Sequence, residues 1–110
     1  MPAAYKGLVQ TTQKSNTVAG TAILIRRADM GFDPSQLIAS TQINCEGLGG
    51  GTFDVNLVVP GCESVKSHQT ALTTLDSVIV LPEVIFEALQ ITFAGAAGLQ
   101  TVIVNSRKVY

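Results

Sequence analysis

NCEGLGGGTFDVNLVVPGC, residues 44–62, decides how the rest of the chain is read. Its second half alternates. Phe53, Val55, Leu57 and Val59 fall on one side, and Thr52, Asp54 and Asn56 on the other. Successive side chains of a strand point to opposite faces, so this is a strand with one face buried. Pro60-Gly61 stops it. The run Gly49-Gly50-Gly51 stands just before it, and glycine's ready access to positive φ suits a turn. Upstream, residues 36–45 place Leu37, Ala39, Thr41, Ile43 and Cys45 on one side of a second strand. The stretch predicts two strands joined as a hairpin by a glycine corner, with an adaptable backbone suited to a contact.

Outward from this stretch the same grammar repeats. Residues 3–12 alternate loosely as a strand, and Gln13 to Asn16 read as a turn. TVAGTAILIRR, 17–27, predicts a strand ending at its basic pair. Gly31, Asp33 and Pro34 then supply turn chemistry. Residues 63–76 are polar, with a short strand around 70–74. Residues 77–81 read as a buried strand ending at Pro82. For 83–95, Pro82 and Glu83 offer a helix start, but Leu89, Ile91 and Phe93 alternate with Gln90 and Thr92. The expectation is one strand with an irregularity near Glu87-Ala88. A turn at 96–98 and a last strand over 99–110 complete the pattern. Seven to eight short strands, without repeat or linker, predict one all-β domain over 1–110: an antiparallel β-sandwich or jelly-roll-like fold. Phe53, Val55, Leu57, Val78, Val80, Leu89, Ile91 and Phe93 are its expected core.

Composition narrows the function. The chain has 110 residues, a net charge of −1, 46% hydrophobic residues and only 5% aromatic. Its charged fraction, 14%, is well below the roughly 25% of an average soluble domain. Binding nucleic acid calls for clustered Lys and Arg. Here only Arg26-Arg27 and Arg107-Lys108 pair up, and strand neighbours point to opposite faces, so nucleic acid is not an expected partner. The N-terminus lacks a basic region followed by an apolar one. The longest apolar run, VIVL at 78–81, is far too short to span a membrane. No membrane partner is expected, and synthesis in the cytosol is.

Residues with chemical potential are scattered. Cys45 and Cys62 form no CxxC motif, and with the lone His68 they are too few for a zinc site. In the expected hairpin Cys45 lies opposite about residue 52 and Cys62 opposite about residue 35, beyond disulfide reach. Free thiols are therefore expected. The glycines lack the Gly-Lys-Ser/Thr sequence and following helix of a phosphate loop. Ser67, His68 and Asp76 spell a triad in letters only, without a nucleophile elbow, and His68 reads as an exposed loop residue. Asp29 and Asp33 share one turn, where capping the turn is favoured over holding Ca²⁺. No catalytic residue, metal or cofactor is expected, and the chain does not read as an enzyme.

The half from 51 to 108 resembles small β-sandwich virion proteins of tailed bacteriophages. The resemblance rests on the strand Thr52–Val59, the strand Val78–Leu81, the aromatic and alternating segment Phe86–Gly95, and the closing strand Leu99–Arg107. It departs from the commoner form in the loop after Val59, which lacks an acidic-Gly-Trp turn, and at Ala88, where arginine is frequent. Galactose-binding-like modules share part of this rhythm. The resemblance implies a capsid decoration (cement) protein, with a head-fibre or small tail component as alternatives. A carbohydrate-binding module is the second reading. It further implies a virion location after assembly in the host cytoplasm, the major capsid protein or other virion subunits as partners, and a homo-oligomer, with a trimer as the expected form. The expected contacts are Pro2, Tyr5, Leu8 and Val9 in a contact arm or edge strand over residues 1–12, and Gly49, Gly50 and Gly51 in the corner.

Overall fold

The structure, a computed structural model, describes residues 9–31 and 38–108, the last of these by its backbone alone. They form eight strands and no helix: β1 (Val9–Ser15), β2 (Ile23–Arg26), β3 (Ile38–Glu46), β4 (Thr52–Val58), β5 (Lys66–Leu72), β6 (Val78–Val80), β7 (Ala88–Ala94) and β8 (Thr101–Lys108). The first sheet has the order β1-β8-β3-β6 and the second β2-β7-β4-β5. All pairings are antiparallel. Only β4 and β5 are joined within one sheet; every other connection crosses to the opposite sheet. This is an eight-stranded jelly roll.

Alternation explains which faces meet. Thr41, Ile43 and Cys45 of β3, Val102, Val104 and Ser106 of β8, and Val78 and Val80 of β6 point inward from the first sheet. Ile23 and Ile25, Phe53, Val55 and Leu57, and Leu89 and Ile91 answer from the second. Leu48 and Met30, from two connections, close the core. Of the eight expected core residues seven are buried, while Phe93 is half-buried against the cluster.

The expected hairpin of residues 36–59 is not formed. β3 and β4 lie in different sheets, facing each other across the core. Alternation identifies the buried face of each strand, but it is the same whether two strands lie side by side or stack. The glycine corner is a crossover. Its turn is closed by the Gly51 N–H donating to the Leu48 carbonyl at 3.0 Å, with Gly49 and Gly50 at φ +57° and +87°. A tight turn with both central residues left-handed is open to glycine and closed to most other residues. Both thiols are free, Cys45 buried and Cys62 exposed. They are kept apart by lying near opposite ends of the sandwich, not by hairpin register.

Four further segments differ from expectation. The strand expected around 70–74 is β5, which starts at Lys66 and ends at Leu72, and residues 73–76 are a turn. Gln13 to Ser15 belong to β1, which pairs in continuous register with β8. Residues 17–22 are not strand: Thr21 N–H donates to Val18 O at 3.1 Å and Gly20 sits at φ +77°, a turn that interrupts the β-branched run. Residues 83–87 are neither helix nor strand. Pro82 occupies the second position of a turn closed by Val84 N–H to Leu81 O at 3.0 Å, a position its fixed φ suits. Phe86 then folds inward, beneath Arg27 at 5.8 Å.

One polar cluster ties three crossovers together at the end of the sandwich where β1 and β3 finish. Gln100 is 0% exposed. Its Nε2 donates to Gly98 O at 2.7 Å and Gly47 O at 3.3 Å. Its Oε1 accepts from Asn16 Nδ2 at 2.7 Å and Gly20 N–H at 2.9 Å. Asn16 and Gln100 also exchange backbone contacts, Asn16 N–H to Gln100 O and Gln100 N–H to Asn16 Oδ1. Every donor and acceptor of this amide is occupied, the condition under which a buried polar group stabilises. The glycines beside it pack closely. A Cβ on Gly47 would collide with Leu99 O, and one on Gly51 would meet Ala96 N at 2.6 Å.

Stability measurements by urea denaturation check this account. Phe53→Ala should lose about 3–5 kcal/mol, for transfer and cavity together, and Phe93→Ala clearly less, because Phe93 is already partly in solvent. Gln100→Glu should lose about 3–5 kcal/mol at neutral pH, since an acceptor would replace the donor aimed at the Gly98 and Gly47 carbonyls. A loss below about 1 kcal/mol would remove the cluster as a structural tie. Burial raises the Cys45 thiol from 9.0 to about 11, with Glu46 adding to the rise. Native protein near pH 8 should therefore expose one rapidly reacting thiol, Cys62, and denatured protein two. The folded state holds the Cys45 proton more tightly than the unfolded state does. Stability is thus at its full value below about pH 9 and declines as pH rises toward 11.

Candidate contact surfaces

Of the residues expected to make contacts, the structure describes Val9 and the three glycines, and these lie at opposite ends of the sandwich. Pro2, Tyr5 and Leu8 lie outside the described residues. Val9 opens β1 opposite Arg107 and is half in solvent. Arg107 in turn faces Ser40 of β3, so Val9 marks one end of the sandwich. Ser15, Thr101 and Glu46 align at the other end, where the glycine corner follows. A strand advances about 3.4 Å per residue, which puts Val9 and the corner roughly 20 Å apart. Gly49 and Gly50 are exposed, whereas Gly51 is buried against Ala94, Gly95 and Ala96 of its own chain.

Large aliphatic side chains in solvent are the feature that strand periodicity does not show. Leu75, 94% exposed, tips the turn of Thr73 to Asp76; Val18 and Leu99, 65% and 56% exposed, flank the Asn16–Gln100 cluster. All three lie at the end that carries the glycine corner. At the Val9 end, Ile85 is 73% exposed and Leu81 is exposed beside it. These two border a cleft of about 180 Å³ whose wall includes Arg27, Ile38, Val80 and Phe86. Their signal in the sequence is an apolar residue inside a turn or next to one, as in TTLDS and LPEVI, where a strand or helix pattern gives no inward direction.

The chemically suggestive residues have structural partners. Asp29 Oδ2 accepts from the Arg26 N–H at 2.9 Å and lies 3.3 Å from Lys14 Nζ. The Arg26 amide above all, then Lys14, holds this carboxyl below the usual range against the opposing effect of desolvation. Asp29 thus closes its own turn, as expected; Asp33 lies outside the described residues. Asp76 Oδ2 accepts from the Thr73 N–H at 2.7 Å and the Thr73 hydroxyl at 3.2 Å. His68 is a half-buried residue of β5, not a loop residue. Among the described residues no group of three or more His, Cys, Asp and Glu is placed to hold a metal ion, and no helix is long and apolar enough to cross a membrane.

Between Glu46 at one end and Arg107 at the other, the outer face of the first sheet carries cross-strand pairs of uncharged polar groups. Thr11 Oγ1 donates to Asn105 Oδ1 at 2.6 Å, Ser15 and Thr101 hydroxyls are 2.7 Å apart, and Asn44 Nδ2 donates to Ser77 Oγ at 2.6 Å. Such cross-strand pairs stabilise a sheet modestly and add no charge to its surface.

No protein-family model matches the chain, and no curated protein does. Solved structures of similar fold exist. The IMPa metallopeptidase from Pseudomonas aeruginosa is 16% identical with a TM-score of 0.53, over 93% of this chain and 12% of that one. The same metallopeptidase in complex with T-antigen gives the same identity and TM-score, with 13% of its length covered; this chain thus corresponds to a small part of that enzyme. A pilus of Bacillus endospore appendages, from a family of disulfide-linked pili, is 17% identical with a TM-score of 0.51, over 93% of this chain and 88% of that one. At these identities the likeness is one of fold: a β-sandwich that stands as one portion of a large enzyme and as nearly the whole of a pilus chain.

Proposed function

We propose that the chain is a structural virion protein that binds and stabilises the surface of a phage capsid, acting through protein contacts and not through catalysis. The observation that carries this reading is the placement of exposed Leu75, Val18 and Leu99 at one end, and Ile85 and Leu81 at the other, on a domain of low charge. Aliphatic surface of this kind is a liability for a free monomer and an asset for a subunit held between neighbours. Jelly rolls recur in viral capsid proteins, although a fold alone does not determine function. The pilus chain, of nearly the same extent, is an example of this architecture working by assembly. A homo-oligomer would multiply weak contacts through high effective concentration.

A carbohydrate-binding module is the second reading, favoured by the neutral amide and hydroxyl ladder on the first sheet. Against it, the aromatic rings among the described residues are buried, at Phe53 and Phe86, or half-buried, at Phe93, whereas sugar stacking uses exposed rings. Binding on a glycan array by folded protein would favour this second reading.

Co-sedimentation with capsids built from the major capsid protein of the same genome tests the first. Wild-type protein should bind at saturable stoichiometry. Deletion of residues 2–9 removes only the first paired residue of β1. It should leave the circular dichroism of a β-protein intact while abolishing attachment. Full occupancy by the deleted form would remove the N-terminal segment as the anchor, and absence of binding by wild type would overturn the decoration role.

A further inference from the structure

A sandwich of two open sheets has four edge strands, and each presents unpaired N–H and C=O groups on which another strand can build. Three of the four are blunted here. β6 is three residues long and β2 four. β5 loses register with β4 twice, between Phe53 and Val55 and between Val55 and Asn56. It also carries Ala71 at φ +57°, held by its N–H donating to Asp54 Oδ1 at 2.8 Å. Bulges of this kind bend an edge away from a partner.

β1 has none of these devices. It runs for seven residues in unbroken register with β8, from Val9 opposite Arg107 to Ser15 opposite Thr101. It contains neither proline nor glycine. Among the described residues no strand pairs with its other side. Its only charged side chain, Lys14, is turned toward the second sheet, where Nζ donates to Leu24 O at 2.8 Å and meets Asp29 at 3.3 Å.

From this edge we infer that two copies of the chain pair antiparallel through β1, joining their first sheets into one eight-stranded sheet. The inference rests on the reading of the chain as an assembly subunit and specifies how one copy meets the next. The sequence of β1, VQTTQKS, is complementary to itself about a two-fold axis through Thr12. Thr12 then faces Thr12, Thr11 faces Gln13 of the second copy, Gln10 faces Lys14, and Val9 faces Ser15. All seven residues pair and no like charges meet, which favours cross-strand association. An interface of this type is isologous and closes at two copies. A single strand pairing is smaller than the roughly 1,200 Å² at which standard stable interfaces begin, so the dimer is a weak one, on the order of tens of micromolar.

Sedimentation velocity of the full chain in reducing buffer, from a few to a few hundred micromolar, tests this pairing. Wild type should shift from monomer to dimer across that range. Thr11→Lys combined with Gln13→Lys places lysine opposite lysine twice about the axis, and should weaken dimerisation at least tenfold. Thr11→Glu combined with Gln13→Lys places opposite charges there and should restore it, although both variants lose the same Thr11–Asn105 hydrogen bond. Gln13→Lys alone faces only threonine and should dimerise nearly as wild type does, which covers the case in which the double-lysine variant fails to fold. A wild type that stays monomeric, or a dimer indifferent to the double-lysine change, overturns the pairing. Capsid co-sedimentation separates the two readings. Decoration by a monomer overturns the pairing and leaves the decoration role standing. A β1-dependent dimer that binds no capsid sustains the pairing and removes the decoration role.

Discussion

A single buried amide sets the geometry of one whole end of the molecule. Gln100 bonds to Gly47, Gly98, Gly20 and Asn16 at once, so the crossovers β1–β2, β3–β4 and β7–β8 meet at one side chain. In a fold without helices the two sheets are related only by core packing and by their connections. Packing fixes the separation of the sheets but tolerates sliding; directional hydrogen bonds do not. The close approach of Gly47 to Leu99 and of Gly51 to Ala96 follows from the same constraint. The crossovers are drawn so near to one another that any side chain in these places would collide with backbone.

How much of this was legible in the sequence depends on what the physics leaves in local pattern. Phe53, Val55 and Leu57 announced both their strand and its buried face, because period-2 alternation is a direct imprint of burial on one side. Their partner strand did not show. β4 pairs with β5 and β7, and the β7 pairing joins residues far apart in the chain. Asn16 and Gln100 escaped notice for a related reason: each sits in a polar, turn-like segment where an amide usually faces water, and only their mutual approach makes them core residues. Exposed Val9 stands in an alternating stretch, but exposed Leu75 and Ile85 carry no periodic signal, and the distance between Val9 and the glycine corner follows from topology alone.

The surface chemistry has a common character. The outer face of the first sheet holds uncharged polar pairs between Glu46 and Arg107, the exposed apolar groups are aliphatic, and Asp29 and Asp76 are turned inward onto their own turns. Such a surface offers little long-range electrostatic steering. Recognition built on it depends on shape, on strand edges and on the repetition of small contacts, conditions met when many copies sit in fixed positions around a larger body.

The position of β8 carries a consequence for how the protein is made. It is the last of the eight strands, yet it lies between β1 and β3 and pairs with both. The hydrogen bond from Thr11 to Asn105 joins residues 94 positions apart. Until Thr101–Lys108 has left the ribosome, β1 and β3 have no neighbour between them and the core is open on one side. Contacts of such separation are slow to form. A chain halted before β8 lacks the middle of its first sheet, so the surface of the domain closes only once β8 is in place.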